Sequence, residues 1–215
     1  MYKKRPLFIT FEGIEGSGKS YLSRKLFNNL KKKNISVILT REPGGTKLAE
    51  KIREIILEDY FHANTKEKFS KYTDTLLYLA ARNEHVKNII EPSIKKKKIV
   101  ICDRFTDSTL AYQVYGKGVS KKLVDSVHKN ILNGIKPDIT FILKVSISKA
   151  MQRLKKRKQI NRYDKFSRNF YDKVQKSFIK IAKKDLKRCL VLNNSTDSNV
   201  IEKVIMDKVI KKLKK

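Results

Sequence analysis

Acidic residues are scarce in this chain, and long apolar runs and interdomain linkers are absent from it. Only 21 Asp and Glu stand against 51 Lys and Arg, which gives a formal net charge of +30 over 215 residues. No apolar run approaches the ~20 residues of a membrane-spanning helix, so we expect no membrane partner. The first residues are basic and then apolar, but no small-residue cleavage site follows, so we expect no secretory signal peptide. The length and the lack of a linker predict a single domain spanning residues 1–215.

Cysteine is also rare, and tryptophan is missing altogether. The two cysteines, Cys102 and Cys189, each lie inside an apolar, strand-like run. This setting favours buried, reduced thiols over a disulfide. Apolar residues make up 40% of the chain and charged residues 33%, which is a globular rather than a disordered balance. We therefore expect a cytoplasmic protein.

The excess of positive charge comes mainly from lysine, dispersed in short runs such as 31–33, 95–98 and 211–215. A pI near 10.1 is common among proteins that bind nucleic acids. However, no zinc-finger spacing, RNP aromatic motif or heptad zipper accompanies the charge. We interpret the lysines as a solvated surface and expect no specific nucleic-acid partner.

Short apolar runs rich in β-branched residues alternate with amphipathic stretches along the chain. The runs are predicted to be buried strands at 7–11, 36–40, 99–102, 139–145 and 190–192. The amphipathic stretches are predicted to be helices at 20–33, 47–57, 71–96, 121–134, 148–156 and 166–184. This order predicts an α/β fold, in which a five-stranded parallel sheet carries helices on both faces. Ligands of such sheets bind beyond the carboxyl ends of the strands, where each motif described below lies.

The first motif is a phosphate-binding loop of the form G-x-x-x-x-G-K-[ST], between a predicted strand and a predicted helix. Its glycines let backbone N–H groups close around a phosphate at a helix N-terminus. Lys19 is expected to reach the β- and γ-phosphates, and the Ser20 hydroxyl to ligate Mg²⁺. The motif therefore predicts ATP binding by Gly13, Ile14, Glu15, Gly16, Ser17, Gly18, Lys19 and Ser20.

A second motif is the apolar strand that ends in Asp103-Arg104. A strand ending in Asp is the usual companion of such a loop, because it places a carboxylate near the metal or its water shell. Ser20 and Asp103 are therefore the predicted Mg²⁺ site.

Several segments of the chain together resemble one family, the bacterial thymidylate kinases. The resemblance rests on the order and spacing of segments 10–20, 40–46, 76–82 and 103–113, together with a lid-like segment at 153–164. It covers most of the chain, from about Pro6 to Lys184. It implies a P-loop kinase fold with a mobile lid at about 148–168, and a homodimer. It also implies transfer of the γ-phosphoryl group of ATP to dTMP, giving dTDP and ADP, a step of dTTP biosynthesis.

The resemblance assigns the dTMP phosphate to Arg41 and Arg104, whose guanidinium groups can grip one dianion. Tyr78 would stack on thymine, and Arg82, four residues further along the same helix face, would donate to its O4. Read without the family, an aromatic residue at this helical spacing is more often part of the core, and that interpretation of Tyr78 stays open.

Three further residues follow the second motif. Ser108 and Thr109 are assigned to the edge of the base, with Thr109 near thymine N3. Tyr112 would pack beneath the deoxyribose and exclude a 2′-hydroxyl, although a tyrosine at this position could also belong to the core.

Some family members carry an arginine within the phosphate loop, where this chain has Gly16. Members of the glycine type supply that charge from the lid, and Arg153 or Arg157 is positioned to do so; the sequence does not choose between them. An arginine of this kind can contribute roughly 10³ to 10⁵ in rate. Asn161 stands where the family often has Asp, which puts a lid-closing role at that position in doubt. The predicted catalytic residues are Glu15, Lys19, Arg104, Arg153 and Arg157.

Two alternatives remain open. One is another nucleoside monophosphate kinase on the same scaffold, which Tyr78, Arg82, Thr109 and Tyr112 argue against. The other is a nucleic-acid-dependent P-loop ATPase, whose basic surface would be its functional feature.

Overall fold

Five parallel strands form one sheet in the structure, a computed structural model that describes residues 6–57, 69–156, 163, 166–195 and 198–214. The strand order is β2-β3-β1-β4-β5. The strands are β1 (Phe8–Glu12), β2 (Val37–Arg41), β3 (Ile99–Asp103), β4 (Ile139–Lys144) and β5 (Cys189–Asn193). The predicted parallel sheet is confirmed, and no strand end differs from the predicted one by more than one residue.

Helices connect the strands and cover the sheet. They are α1 (Lys19–Lys32), α2 (Lys47–Leu57), α3 (Lys71–His85), α4 (Glu91–Lys95), α5 (Thr106–Thr109), α6 (Lys121–Ile131), α7 (Ile147–Lys155), α8 (Arg168–Lys184) and α9 (Ser198–Leu213). π-Helical segments join α3 to α4 (Val86–Ile90) and extend α5 (Leu110–Gly116). The stretch predicted as one helix at 71–96 is therefore a helix interrupted by a wider turn.

Serine side chains fix where several of the described helices begin. The hydroxyl oxygens of Ser70, Ser120, Ser146 and Ser167 each accept a hydrogen bond from the backbone N–H three residues later. A serine at this position satisfies an N–H group that has no partner within its helix. These caps start α3, α6, α7 and α8 at positions set by the local sequence.

The two faces of the sheet bury separate apolar clusters. Along β1, Ile9 and Phe11 pack with α1 and α9, whereas Phe8 packs on the opposite face with Val100 of β3 and Val86. This alternation follows from the period of two along a strand. Both cysteine thiols are free and buried, as predicted. Among the described residues, no helix combines the length and apolar character needed to cross a membrane.

Helix α9 was not predicted. Sequence reasoning interpreted its end only as a lysine-rich tail, yet Ile201, Ile205, Val209 and Leu213 are buried against the α1 side of the sheet. Their four-residue spacing is the helical signal that could have found the element.

Candidate active site

The carboxyl ends of three adjacent strands bring the predicted motifs together. Strand β3 lies between β1 and β2, with Phe11 and Arg41 both in register with Asp103. One pocket opens at this edge. Its lining includes these predicted residues: Glu15, Lys19, Ser20, Arg41, Tyr78, Arg82, Asp103, Arg104, Ser108, Thr109 and Tyr112.

The phosphate loop depends on glycine at Gly16, where φ is 71° and space is short. A Cβ atom built on Gly16 would lie 2.6 Å from the carbonyl oxygen of Ala150 in α7. No ordinary Cβ contact is this close, and the positive φ alone disfavours a side chain. The first helix of the lid segment therefore packs directly on the backbone of the loop.

The side chain of Lys19 contacts other residues of the phosphate loop. It is only 6% exposed, and Nζ donates to the carbonyl oxygen of Ile14 at 2.7 Å and lies 3.4 Å from Ser17 Oγ. Burial, together with the nearby Arg104, lowers the pKa of Lys19 to about 7. The amine also lines the pocket, so it is held at the place where the loop meets a ligand.

Ser20 and Asp103 form an oxygen-only pair at the start of α1. The Ser20 hydroxyl donates a hydrogen bond to the Asp103 carboxylate. Hydroxyl and carboxylate oxygens are the ligands that Mg²⁺ accepts when phosphates and water complete its shell. Within the described part of the chain, no group of three or more His, Cys, Asp and Glu could hold a metal ion. This donor set fits a nucleotide-bound Mg²⁺ rather than an ion enclosed by protein alone.

Arg104 connects the phosphate loop to the residues that follow β3. Its guanidinium group donates to the carbonyl oxygen of Gly13 at 3.0 Å, to Ser108 Oγ at 3.0 Å and to Glu15 Oε1 at 2.8 Å. The guanidinium also lies over the Tyr112 ring, 5.1 Å from its centroid. The Tyr112 hydroxyl in turn donates to the other oxygen of Glu15. Four predicted residues, Glu15, Arg104, Ser108 and Tyr112, thus form one cluster.

Arg41 reaches the same pocket from the end of β2. Its Nη2 donates to Glu50 of α2 at 2.9 Å, and its side chain is 55% exposed. This exposure leaves the guanidinium accessible to a ligand. A second arginine, Arg53, lines the pocket as well, and donates to the carbonyl oxygen of Pro43 at 2.7 Å.

Arg82 is only 2% exposed although it lines the pocket. Its Nε donates to Glu42 Oε2 at 2.7 Å, and its Nη2 to the carbonyl oxygen of Phe105 at 3.0 Å. Its Nη1 donates to Thr109 Oγ1 and to His128 Nε2, both at 2.8 Å. Burial alone would raise the pKa of Glu42, but Arg82 and the hydrogen-bonded His85 together outweigh it and lower the pKa. Bonds from all three of its nitrogens therefore hold the Arg82 guanidinium group in place.

Sequence reasoning missed several pocket residues. Gln113, the last residue of segment 103–113, lines the pocket. Arg53 also lines it, one helical turn before the end of α2. Glu12 is buried below the site, where it accepts bonds from the backbone N–H of Phe105 at 2.7 Å and from Ser108 Oγ at 2.6 Å. Burial, reinforced by Asp107, raises the pKa of Glu12 to about 8. The position of Glu12 and Gln113 within conspicuous motifs was the available signal.

The described residues of the predicted lid segment contact both the phosphate loop and the aromatic residues of the pocket. Arg153 Nη1 donates to the carbonyl oxygen of Gly16 at 2.9 Å. Asn194, which follows β5, donates through Nδ2 to the carbonyl oxygen of Ser17 at 2.7 Å, and its own carbonyl oxygen accepts a hydrogen bond from Arg153 Nη2 at 3.3 Å. Tyr163 meets Tyr78 and Tyr112 edge to face, with ring centroids 6.2 and 6.0 Å apart. The predicted Arg157, and Asn161 with it, lie outside the described residues.

This sheet order, with a glycine-rich loop between β1 and α1 and an aspartate at the end of the adjacent β3, defines a P-loop kinase fold. Comparison with known proteins then gives the family. The family model described as thymidylate kinase matches residues 11–205. The chain belongs to the thymidylate kinase family.

Individual relatives agree along nearly the whole chain. A thymidylate kinase of Wolbachia pipientis wMel is 43% identical over 208 residues, which cover 94% of this chain and 100% of that protein. One from Mycoplasma capricolum is 37% identical over 97% of this chain and 96% of its own length. The crystal structure of thymidylate kinase from Ehrlichia chaffeensis superposes with a TM-score of 0.75 at 38% identity, covering 95% of this chain and 98% of that one.

Proposed function

We propose that this chain transfers the γ-phosphoryl group of ATP to dTMP, giving dTDP and ADP, through the residues that meet at its pocket. Thymidylate kinases are ATP-dependent nucleoside monophosphate kinases, and this chain is an enzyme of that family. The observation that carries the proposal is the Arg104 cluster. It joins the ATP-type loop, through Gly13, to the acceptor-side residues Ser108 and Tyr112.

On the donor side, residues 13–20 would hold the phosphates of ATP, with Lys19 directed at them. Ser20 and Asp103 would hold Mg²⁺, which neutralises phosphate charge when it is bound. Arg153 or Arg157 would add positive charge from the lid, about 148–168. Arg153 already contacts the loop at Gly16, which supports its assignment to this side.

On the acceptor side, Arg41 and Arg104 would grip the dTMP phosphate, and Glu15 would meet the sugar. Tyr78 would stack on the base, and Ser108 and Thr109 would contact its edge. Holding the acceptor in line with the γ-phosphate supplies most of the catalysis that phosphoryl transfer asks of a protein.

Arg82 would donate to thymine O4. A guanidinium group has five N–H donors. Nη2 donates one of its two N–H groups to the carbonyl oxygen of Phe105. Among the described residues, the other N–H group of Nη2 has no acceptor. That remaining N–H, on a residue that lines the pocket, supports the assignment.

The function is tested by ADP release with ATP, Mg²⁺ and a panel of dTMP, dUMP, UMP, CMP, AMP and GMP, with DNA in a parallel reaction. We expect transfer with a preference for dTMP, and its loss when EDTA removes the metal. Preference for another monophosphate would mean that the chain is a different nucleoside monophosphate kinase. ADP release stimulated by DNA but by no monophosphate would make it a nucleic-acid-dependent ATPase.

Tyr112 gives a prediction on sugar specificity. Its ring is 4% exposed within the aromatic cluster, so a 2′-hydroxyl would meet a bulky, fixed surface. We expect Tyr112→Ala to reduce the preference for dTMP over its ribonucleotide by about tenfold or more, since an apolar pocket alone rejects a hydroxyl only about a hundredfold. Tyr112→Phe keeps the ring and serves as the control, because it should retain that preference while losing the bond to Glu15. Equal preferences in the wild type and Tyr112→Ala would remove the steric role.

We propose that residues 1–215 form one domain and that the protein works in the cytoplasm. We also propose that it forms a homodimer through α2 and α3. These two helices pack together and expose Leu48, Ile55, Tyr72 and Leu76, the last at 50%. Exposed apolar groups of this density mark association surfaces. Leu76→Asp should therefore shift the mass measured by light scattering from dimer to monomer. Val200→Asp, at an exposed apolar site on α9, is the control that should leave the dimer intact; a wild-type monomer would contradict the proposal.

A further inference from the structure

His128 lies on α6, outside the pocket lining, yet it contacts the residue that we assign to the base. Its Nε2 is 2.8 Å from Arg82 Nη1. The same Nη1 donates to Thr109 Oγ1, also at 2.8 Å. Together these two contacts use both N–H groups of Nη1, one toward α6 and one toward the base-edge residue.

The chemistry of the pair fixes the state of the imidazole. A guanidinium group can only donate hydrogen bonds, so His128 Nε2 has to accept. The imidazole is then neutral, with its proton on Nδ1. A protonated His128 would instead direct an N–H at Arg82, and two cations would face each other across 2.8 Å.

The surroundings of His128 favour the same state. Burial, followed by the charge of Arg82, lowers the pKa of His128 to about 3. Glu42 faces it from the connection between β2 and α2, and Asp125 and Lys121 lie on α6 itself; the two carboxylates raise the pKa, and Lys121 lowers it. The net effect keeps the acceptor available throughout the neutral pH range.

We infer that His128 is a positioning residue, which orients the Arg82 guanidinium and, through it, the Thr109 hydroxyl toward the acceptor base. This inference rests on the proposed function in one respect, the assignment of Arg82 to thymine O4. The other bonds of Arg82 hold its Nε, on Glu42, and its Nη2, on the carbonyl oxygen of Phe105. His128 is the group beyond the pocket lining that fixes Nη1, and its loss would leave a buried N–H without an acceptor.

The state of the ring is tested without any substrate. In ¹⁵N-histidine NMR spectra of the whole chain, His128→Gln identifies the signal that belongs to His128. We expect a proton on Nδ1, an unprotonated Nε2, and no titration between about pH 5.5 and pH 8. A proton on Nε2, or titration near the ordinary pKa of about 6.5, would overturn the inference.

The consequence for recognition is tested by steady-state kinetics. His128→Ala should raise KM for dTMP by about tenfold, the usual scale for a buried donor left unsatisfied, and leave KM for ATP nearly unchanged. The preference for dTMP over dCMP should fall with it, because cytosine offers an amine where thymine offers O4. The preference for dTMP over dUMP should persist, because these bases differ only in the methyl group.

Matched variants separate positioning from stability. His128→Gln places an amide oxygen near the position of Nε2 and should restore most of the affinity for dTMP. His128→Asn, whose side chain is too short to reach Nη1, should resemble His128→Ala. Lys129→Ala, at the exposed neighbouring position, is the control for α6.

The possible outcomes remain distinguishable. Normal KM values and base preference in His128→Ala and His128→Asn, with only a lower melting temperature, would mean a structural role and overturn the inference. A wild-type enzyme that does not phosphorylate dTMP would instead contradict the proposed function. In that case the NMR result still decides whether the neutral acceptor exists.

Discussion

Replacing Lys19 with alanine is expected to lower kcat by about 10² to 10³, the usual cost of removing one hydrogen-bond donor from a transition state. Lys19 is the loop cation that lines the pocket and is held on the carbonyl oxygen of Ile14. Alanine would remove the positive charge that we propose faces the β- and γ-phosphates as the transferred group develops its charge. The measurement is kcat and both KM values with ATP and dTMP, together with a melting temperature.

The matched control for Lys19 is Lys25→Ala on the same helix. Lys25 makes a long contact of 3.9 Å with Glu202 and lies 5.3 Å from the centroid of the Tyr21 ring, and its side chain is 46% exposed. We expect its removal to leave kcat nearly unchanged. A Lys19→Ala enzyme that keeps its melting temperature and loses less than about tenfold in kcat would contradict the assigned role.

Arg104 gives the second large effect. We expect Arg104→Ala to reduce kcat/KM for dTMP by about 10² to 10³, because one change removes the proposed phosphate clamp and the ion pair that holds Glu15. That pair is 2.8 Å long, and its side chains are only 16% and 11% exposed. Arg104→Lys should recover little, since an ammonium group cannot bond Gly13, Ser108 and Glu15 together as the planar fork does.

The control for Arg104 is Arg24→Ala, an exposed arginine of α1. A double variant with Glu15→Gln adds a second criterion. If Arg104 acts partly by holding Glu15, the two losses should be far from additive. Strict additivity would mean that the contact seen here has no part in the reaction.

The sequence predicted those parts of the fold and the site that depend on local pattern. The alternating apolar runs gave the five parallel strands, and G-x-x-x-x-G-K-[ST] located the loop, because both signals lie within a few consecutive residues. The resemblance added residues such as Arg41 and Tyr78, which the structure does place at the pocket. Their individual roles stay predictions.

The contacts that hold those residues could not be predicted in the same way. Arg82 meets Glu42, Thr109 and His128 across separations of 27 to 46 residues. Nothing in the local sequence states which of several charged residues will pair over such distances. Arg188, directly before β5, was not predicted for the same reason. Its Nη1 donates to Asp107 of α5 at 2.6 Å.

The contact between Gly16 and α7 restricts how this enzyme could evolve. Family members differ in whether the loop or the lid supplies the extra arginine. In this chain the carbonyl oxygen of Ala150 lies 2.6 Å from the position that a Cβ atom at residue 16 would occupy. Arginine at that position would therefore require a displacement of α7, the helix that also carries Arg153. If Arg153 supplies this charge, as proposed, an arginine at position 16 would also displace the helix that now carries it, so the two sources of charge would have to change together.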